Sequence, residues 1–118
     1  MSNKSGECIF CKIIKKEIAA STEYEDESII AINDKNPKAP VHVLIIPKEH
    51  IGKVNDITAG TMKLLGKMAV AAKEISRKRG ISDSGYRLII NCGKDGGQLI
   101  EHLHMHLLGG RELGWPPG

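Results

Sequence analysis

The order of patterns along this chain predicts an α+β fold: a short helix, three strands, a long helix and two strands, giving one sheet of about five strands with helices packed on one side. Three observations carry that expectation. Histidines stand at positions 102, 104 and 106, with Leu103, Met105, Leu107 and Leu108 between and after them, the two-residue alternation of a strand. Met62, Leu65, Met68, Ala69, Ala72 and Ile75 recur at three-and-four spacing opposite Lys and Arg, the pattern of an amphipathic helix. Val41 to Ile46 is an almost unbroken apolar run, as a central strand buried on both faces requires.

Each element can be justified in turn. Cys8-Ile9-Phe10-Cys11 leads into Lys12 to Ile18, where Ile9, Ile13, Ile14 and Ile18 share one face of a short helix. Glu23 to Glu25 and Ser28 to Asn33 read as two short strands around an acidic turn. Asp34 to Pro40 is a loop by its Asp, Asn and Pro content. The central strand follows and ends at Pro47; His42 is its one polar residue and needs either a structural hydrogen bond or a site to face. The long helix is expected over Thr58 to Arg79, capped by Asp56 or Thr58 and stopped at Gly80. Tyr86 to Asn91 is a fourth strand and Glu101 to Leu108 the strand of histidines, ended by Gly109-Gly110. The two prolines of RELGWPPG exclude helix from the tail. Residues 1–118 thus read as a single domain, with 1–7 flexible and 109–118 extended.

Composition narrows the function. A formal charge of +3 biases the chain mildly toward anionic ligands. It falls short of a nucleic-acid-binding patch, and Phe10, Tyr24, Tyr86 and Trp115 offer little for bases to stack on. Lys63, Lys67, Lys73, Arg77 and Lys78 are the solvated face of the long helix. No apolar run approaches the ~20 residues of a membrane span, and MSNKSGECIF lacks the apolar core of a secretory signal, which points to the cytosol. In that reducing compartment a Cys-x-x-Cys pair is more often a metal or redox site than a disulfide. Cys8 and Cys11 supply half of a tetrahedral site, and the only histidines available to complete it are at 42, 50, 102, 104 and 106.

Asn91 to Leu108 concentrates the chemistry. Alternation puts three imidazoles on one face and an apolar row on the other. At ~3.3 Å per residue, His102 and His106 start roughly 13 Å apart, too far to converge with His104 on one zinc with ligand bonds of ~2.0 Å. The three histidines must therefore divide the labour. Gly93, Gly96 and Gly97 precede them as a loop whose backbone can approach an anion and turn N–H groups toward it. A phosphate against a row of imidazoles is the chemistry suggested.

His102-Leu-His104-Met-His106-Leu-Leu resembles the His-φ-His-φ-His-φ-φ motif of the histidine triad family. CIFCKIIKKEI, NPKAPVHVLIIPKEHI, DGGQ and LLGGRELGWPPG are similar to the Hint branch of that family, so the resemblance covers about Cys8 to Gly118. It implies an antiparallel five-stranded sheet that dimerises into a continuous one. It also implies a homodimer that binds AMP or GMP moieties and cleaves purine nucleoside phosphoramidates and acyl-adenylates. On this resemblance His104 is the nucleophile that carries the nucleotide covalently, with His106 on the phosphate oxygens and His42 supporting the triad. Backbone N–H groups around Gly97, Gln98 and Leu99 help to neutralise the phosphate. Asp34 matches the ribose-binding acid and Asn91 a residue beside sugar and phosphate. Ile9, Phe10, Ile13, Ile18 and Leu44 match the walls around the base, and Trp115 the tail tryptophan that reaches the partner subunit's site. No catalytic metal or organic cofactor is expected.

Some relatives in that superfamily carry a structural zinc, and Cys8, Cys11, His50 and His102 stand at its four ligand positions. Two departures are also visible. Leu99 occupies a position that is usually Ser or Thr in the Hint branch, and Glu101 one that is usually aromatic or apolar. Leu99 is what favours a second reading, a nucleotide-binding regulatory or scaffold protein with residual activity. A third, a hydrolase using the triad as zinc ligands, meets the distance objection above.

Overall fold

The computed structural model describes residues 8–118; the segment 1–7, expected to be flexible, lies outside the described residues. Two α-helices and five strands follow the expected order: α1 (Ile9–Ile14), β1 (Thr22–Glu25), β2 (Ile29–Asn33), β3 (Val41–Pro47), α2 (Lys63–Lys78), β4 (Tyr86–Ile89) and β5 (Met105–Gly109). A single 3-10 turn over Val54–Asp56, not anticipated from the sequence, precedes α2. The sheet is antiparallel throughout, in the order β1-β2-β3-β5-β4.

β3 is buried along its whole length, and each face has its own cover. Val41, Val43 and Ile45 join Ile29, Ala31, Met105 and Leu107 in a core closed by Met68, Ala71, Ala72 and Ile75 of α2. Leu44 and Ile46 join Ile30 and Ile32 in a second core closed by Phe10 and Ile13 of α1. The helices therefore lie on opposite faces of the sheet, which corrects the expectation that they share one side. A strand apolar at every position but His42 leaves little for water to wet on either face, so one layer of helices cannot suffice.

The long helix begins at Lys63 rather than near Thr58, and neither Asp56 nor Thr58 caps it. The Thr58 carbonyl instead accepts from the N–H groups of Thr61 and Met62 at 3.1 and 2.9 Å, closing a separate turn before the helix. The buried stripe runs along Leu64, Leu65, Met68, Ala71, Ala72 and Ile75, and the expected Met62 and Ala69 are exposed. The helix stops as Gly80 predicts: its φ of 74° lets the Gly80 and Ile81 N–H groups reach the carbonyls of Arg77 and Ser76. Ile81 then folds back into the α2-side core.

β4 ends at Ile89 and β5 begins only at Met105, so Asn91, His102 and His104 lie outside the ladder. The alternation survives this. Leu103 and Met105 remain in the α2-side core, while His102 and His104 turn toward Phe10 of α1. Among the described residues no helix is long and apolar enough to cross a membrane.

Candidate active site

Strand register assembles the histidine face. Leu44 pairs with His106 and Ile89 with His106, forming one row across β3, β5 and β4. His42 and Arg87 both pair with Leu108, forming the next row. His42 and His106 are diagonal neighbours, and their Nε2 and Nδ1 atoms lie 3.0 Å apart. The rings of His104 and His106 stand with centroids 5.1 Å apart, and Phe10 packs edge-on to His102 and His104 at 5.8 and 5.1 Å.

Hydrogen bonds settle which nitrogen of each ring carries the proton. A carbonyl can only accept, so His104 Nδ1–H donates to the His102 carbonyl at 2.6 Å, and His104 Nε2 keeps its lone pair. The backbone N–H of Lys38 donates to His42 Nδ1 at 3.0 Å, which puts the His42 proton on Nε2. His42 Nε2–H then donates to His106 Nδ1, leaving His106 with its own N–H on Nε2. The result is one ring with a free lone pair beside another that offers a donor.

The same assignment bears on metal chemistry in the cleft. Asp34, His42 and His106 are close enough to share an ion, with Asp34 Oδ2 3.5 Å from His42 Nε2. A nitrogen that carries a proton cannot also ligate, and the Lys38 N–H holds His42 in the tautomer protonated at Nε2. These residues form a hydrogen-bonded relay rather than a ligand set.

Burial keeps the rings uncharged. Desolvation lowers the pKa of His104 against the opposing pull of its bond to His102 and of Asp34. It lowers that of His42 as well, against Asp34. His106 falls to about 4, through desolvation first and the neighbouring His104 and His42 second. Neutral imidazole is the nucleophilic form, so at pH 7 the site is already in its reactive state.

These rings open into a cleft of about 890 Å³ that also brings together Phe10, Asp34, Leu44, Asn91, Gly97, Leu99 and Trp115. Of the other expected base-wall residues, Ile13 is buried and Ile18 half-buried behind Phe10 and Leu44, while Ile9 is exposed and outside the cleft lining. Gln98 does not line the cleft either. Its Oε1 accepts from the Gly93 N–H at 2.9 Å and its Nε2 donates to the carbonyls of Gly52 and Ile100, so it clamps the glycine loop in place. Within that loop Gly96 has no room for a side chain, since a Cβ there would meet the Cys92 carbonyl oxygen at 2.5 Å. Leu99 is 95% exposed at the mouth, and Glu101 is half-buried outside the cleft lining. Among the cleft residues not singled out in the sequence, Lys38 and Arg87 contribute polar groups. Lys38 acts through its main chain, which no residue type reveals. Arg87 donates to the Gly114 carbonyl at 2.8 Å and lies 5.8 Å from the Trp115 ring centroid, fastening the tail; its place on a strand face was the only signal available.

Behind Phe10 the four soft ligands converge. Cys8 Sγ lies 3.3 Å from His102 Nδ1, Cys11 Sγ 3.2 Å from His50 Nδ1 and 3.6 Å from His102 Nδ1. All four ligand atoms fall within 4.8 Å of one another. Zinc bonds of about 2.3 Å to sulfur and about 2.0 Å to nitrogen place tetrahedral S and N ligands ~3.5 Å apart, which these separations match. His102 Nε2–H donates to the Pro47 carbonyl at 2.8 Å, freeing Nδ1 to face the thiols. His50 Nε2 is the one buried side-chain nitrogen or oxygen among the described residues without a hydrogen bond, so that ring is held from its Nδ1 side. The residues present fit a zinc ion.

A five-stranded antiparallel sheet flanked by two helices, carrying alternating histidines and a glycine loop at an open cleft, defines the histidine triad class. The chain belongs to that family. Residues 7–113 match the family model described as scavenger mRNA decapping enzyme C-terminal binding. Over 108 residues the chain is 48% identical to the purine nucleoside phosphoramidase of Escherichia coli K12, covering 92% of this chain and 91% of that one. It is similar to the solved HIT family hydrolase of Legionella pneumophila Philadelphia 1, with a TM-score of 0.92 and 47% identity over 94% of this chain and 99% of that one. The HIT family hydrolase of Clostridium thermocellum gives 0.89 and 53% over 91% and 93%.

The displaced histidines have a consequence for stability. His106 titrates near 6.5 when unfolded and near 4 when folded, so the unfolded chain takes up the proton first as pH falls. The stability it contributes is complete above about pH 6.5 and is lost progressively toward about pH 4. Urea unfolding at pH 7 and pH 5 should show a smaller loss in His106→Gln than in the wild type; equal losses would show that His106 is not held neutral.

Proposed function

We propose that the protein is a purine nucleoside phosphoramidase working through a nucleotidyl-histidine. The observation that carries this is the 2.6 Å bond from His104 Nδ1–H to the His102 carbonyl, which aims a neutral Nε2 lone pair into the cleft. That lone pair attacks the α-phosphorus and forms a P–N bond while the bond to the leaving amine breaks, its electron pair staying with the amine nitrogen. His106 Nε2–H donates to a phosphate oxygen as charge develops, joined by the Leu99 N–H, since the Gly97 and Gln98 N–H groups already donate to the Lys94 and Gly93 carbonyls. The amine leaves after gaining a proton from water. A second water attacks the phosphorus, its proton passing to the hydroxide left by the first, while the P–N bond to His104 breaks with its electron pair returning to Nε2, so that His104 departs neutral as the nucleotide is released.

Asp34 accepts from both ribose hydroxyls, and Phe10 and Leu44 hold the purine of an AMP or GMP moiety. The match to the Escherichia coli phosphoramidase supports the substrate class. A structural zinc on Cys8, Cys11, His50 and His102 ties the start of α1 to the triad segment. Cys8, Cys11 and Cys92 form no disulfide, which suits the cytosol. We assign a homodimer joined through α2 and the free edge of β4, where Val70 and Leu88 are exposed. Light scattering at micromolar concentration should give twice the chain mass, and a monomer would refute that assembly.

Mass spectrometry of the protein mixed with adenosine phosphoramidate should reveal an AMP adduct that His104→Ala abolishes. An absent adduct, with AMP still bound, favours the regulatory reading, for which the missing hydroxyl at Leu99 is the motivating observation. If a hydroxyl there assists the departing amine, Leu99→Ser should raise kcat at least several-fold while changing AMP affinity by less than ~1 kcal/mol. An unchanged or lower kcat in Leu99→Ser would assign leaving-group protonation to His106 or water.

A further inference from the structure

We infer that the four-ligand cluster is a positioning device for the nucleophile: Cys8, Cys11 and His50 act on the reaction by fixing His102, whose main-chain carbonyl holds His104. The inference rests on the zinc assignment above and extends it from stability to chemistry. Three observations carry it. First, the segment that bears the carbonyl lies before β5 begins at Met105, so no strand ladder fixes it. Its position has to come from other contacts.

Second, those contacts run to the cluster from both sides. The His102 ring is wholly buried, with Nδ1 beside Cys8 and Cys11 and Nε2–H on the Pro47 carbonyl. On the other side of the same peptide unit, Leu103 N–H donates to the carbonyl of Ile51 at 2.6 Å, and Ile51 follows the ligand His50 directly. The peptide between His102 and Leu103 is thus suspended between two histidines of the cluster. Its carbonyl oxygen is the acceptor for His104 Nδ1–H.

Third, Phe10 lies between the two cysteines in sequence and packs on both the His102 and the His104 rings. Movement of the Cys8–Cys11 turn would shift the wall of the cleft together with the acceptor. A group held by these four residues orients His104 without touching it or the substrate. Cys8, Cys11 and His50 are positioning residues; the side chains that act at phosphorus are those of His104 and His106.

The test uses the full chain, with zinc as the probe. Zinc is removed by chelation and restored, and three quantities are followed: zinc per chain by elemental analysis, solvent exchange of the His104 Nδ1–H by proton NMR, and the single-turnover rate of AMP transfer to His104. Zinc removal is expected to speed the exchange and slow the transfer by about tenfold each, the scale of outer-shell effects at metal sites, with little change in KM. Restored zinc should reverse both. Cys11→His, which keeps four ligands, should retain slow exchange at full zinc occupancy, whereas Cys11→Ala should behave as the zinc-free chain. Zinc that binds, but whose removal leaves exchange and transfer unchanged in a folded chain, overturns the coupling alone. Should removal unfold the chain, fast exchange in zinc-loaded Cys11→His overturns it instead. A chain that binds no zinc at all overturns the zinc assignment as well.

Discussion

The hydrogen bond from His104 Nδ1 to the His102 carbonyl constrains everything else in the site. An imidazole that can spin or exchange tautomers offers its lone pair to the cleft only part of the time. A short bond to a fixed acceptor removes that freedom before substrate arrives. A carboxylate as acceptor would add a charge and favour the protonated ring. A main-chain carbonyl orients the ring with a smaller electrostatic pull, which burial outweighs. The fold's task is then to hold one peptide unit still, and the surrounding contacts of His102 and Leu103 do so.

That requirement explains the architecture around β3. Because β3 is buried on both faces, α1 must cover the histidine side as α2 covers the other. α1 is only six residues long, too short to be stable as an isolated helix. It is kept in place by Phe10 and Ile13 in the core and by Cys8, whose Sγ accepts from the Cys11 N–H at the helix start. The element that closes the second core is therefore the one that carries the thiols, and stability of the wall and geometry of the nucleophile share the same anchor.

Much of this was legible in the chain because alternation and spacing are side-chain properties. The histidine face, the doubly buried β3 and the glycine loop follow from residue type at a given period. The opposite placement of the helices was implied by β3 itself, since a strand apolar on both sides needs two covers. What sequence could not show were features made by main-chain groups: the Lys38 N–H that sets the His42 tautomer, the Leu103 N–H on Ile51, and the turn at Thr58 that delays α2. Side-chain roles that depend on approach were also hidden. Gln98 was expected to turn its backbone N–H to phosphate, yet that N–H donates to the Gly93 carbonyl at 3.0 Å and its side chain holds the loop.

The histidines also show how donors beside the reacting atoms can be kept neutral in a site for an anion. Displacing His106 to about 4 corresponds to at most about 3 kcal/mol against charging the ring, and partial exposure reduces that figure. A charged His106 would attract phosphate more strongly, but its field would also hold back the His104 lone pair beside it and stabilise the bound substrate before any bond changes. Binding that is equal in ground and transition states does not raise kcat. Neutral N–H dipoles, preset by the chain from Lys38 through His42 to His106, strengthen as negative charge gathers on the phosphate oxygens. The apolar packing of Phe10, Leu44 and Ile89 around the histidines is thus part of the chemistry: by excluding water it keeps the rings neutral, and neutrality is what makes one of them a nucleophile and the next a donor.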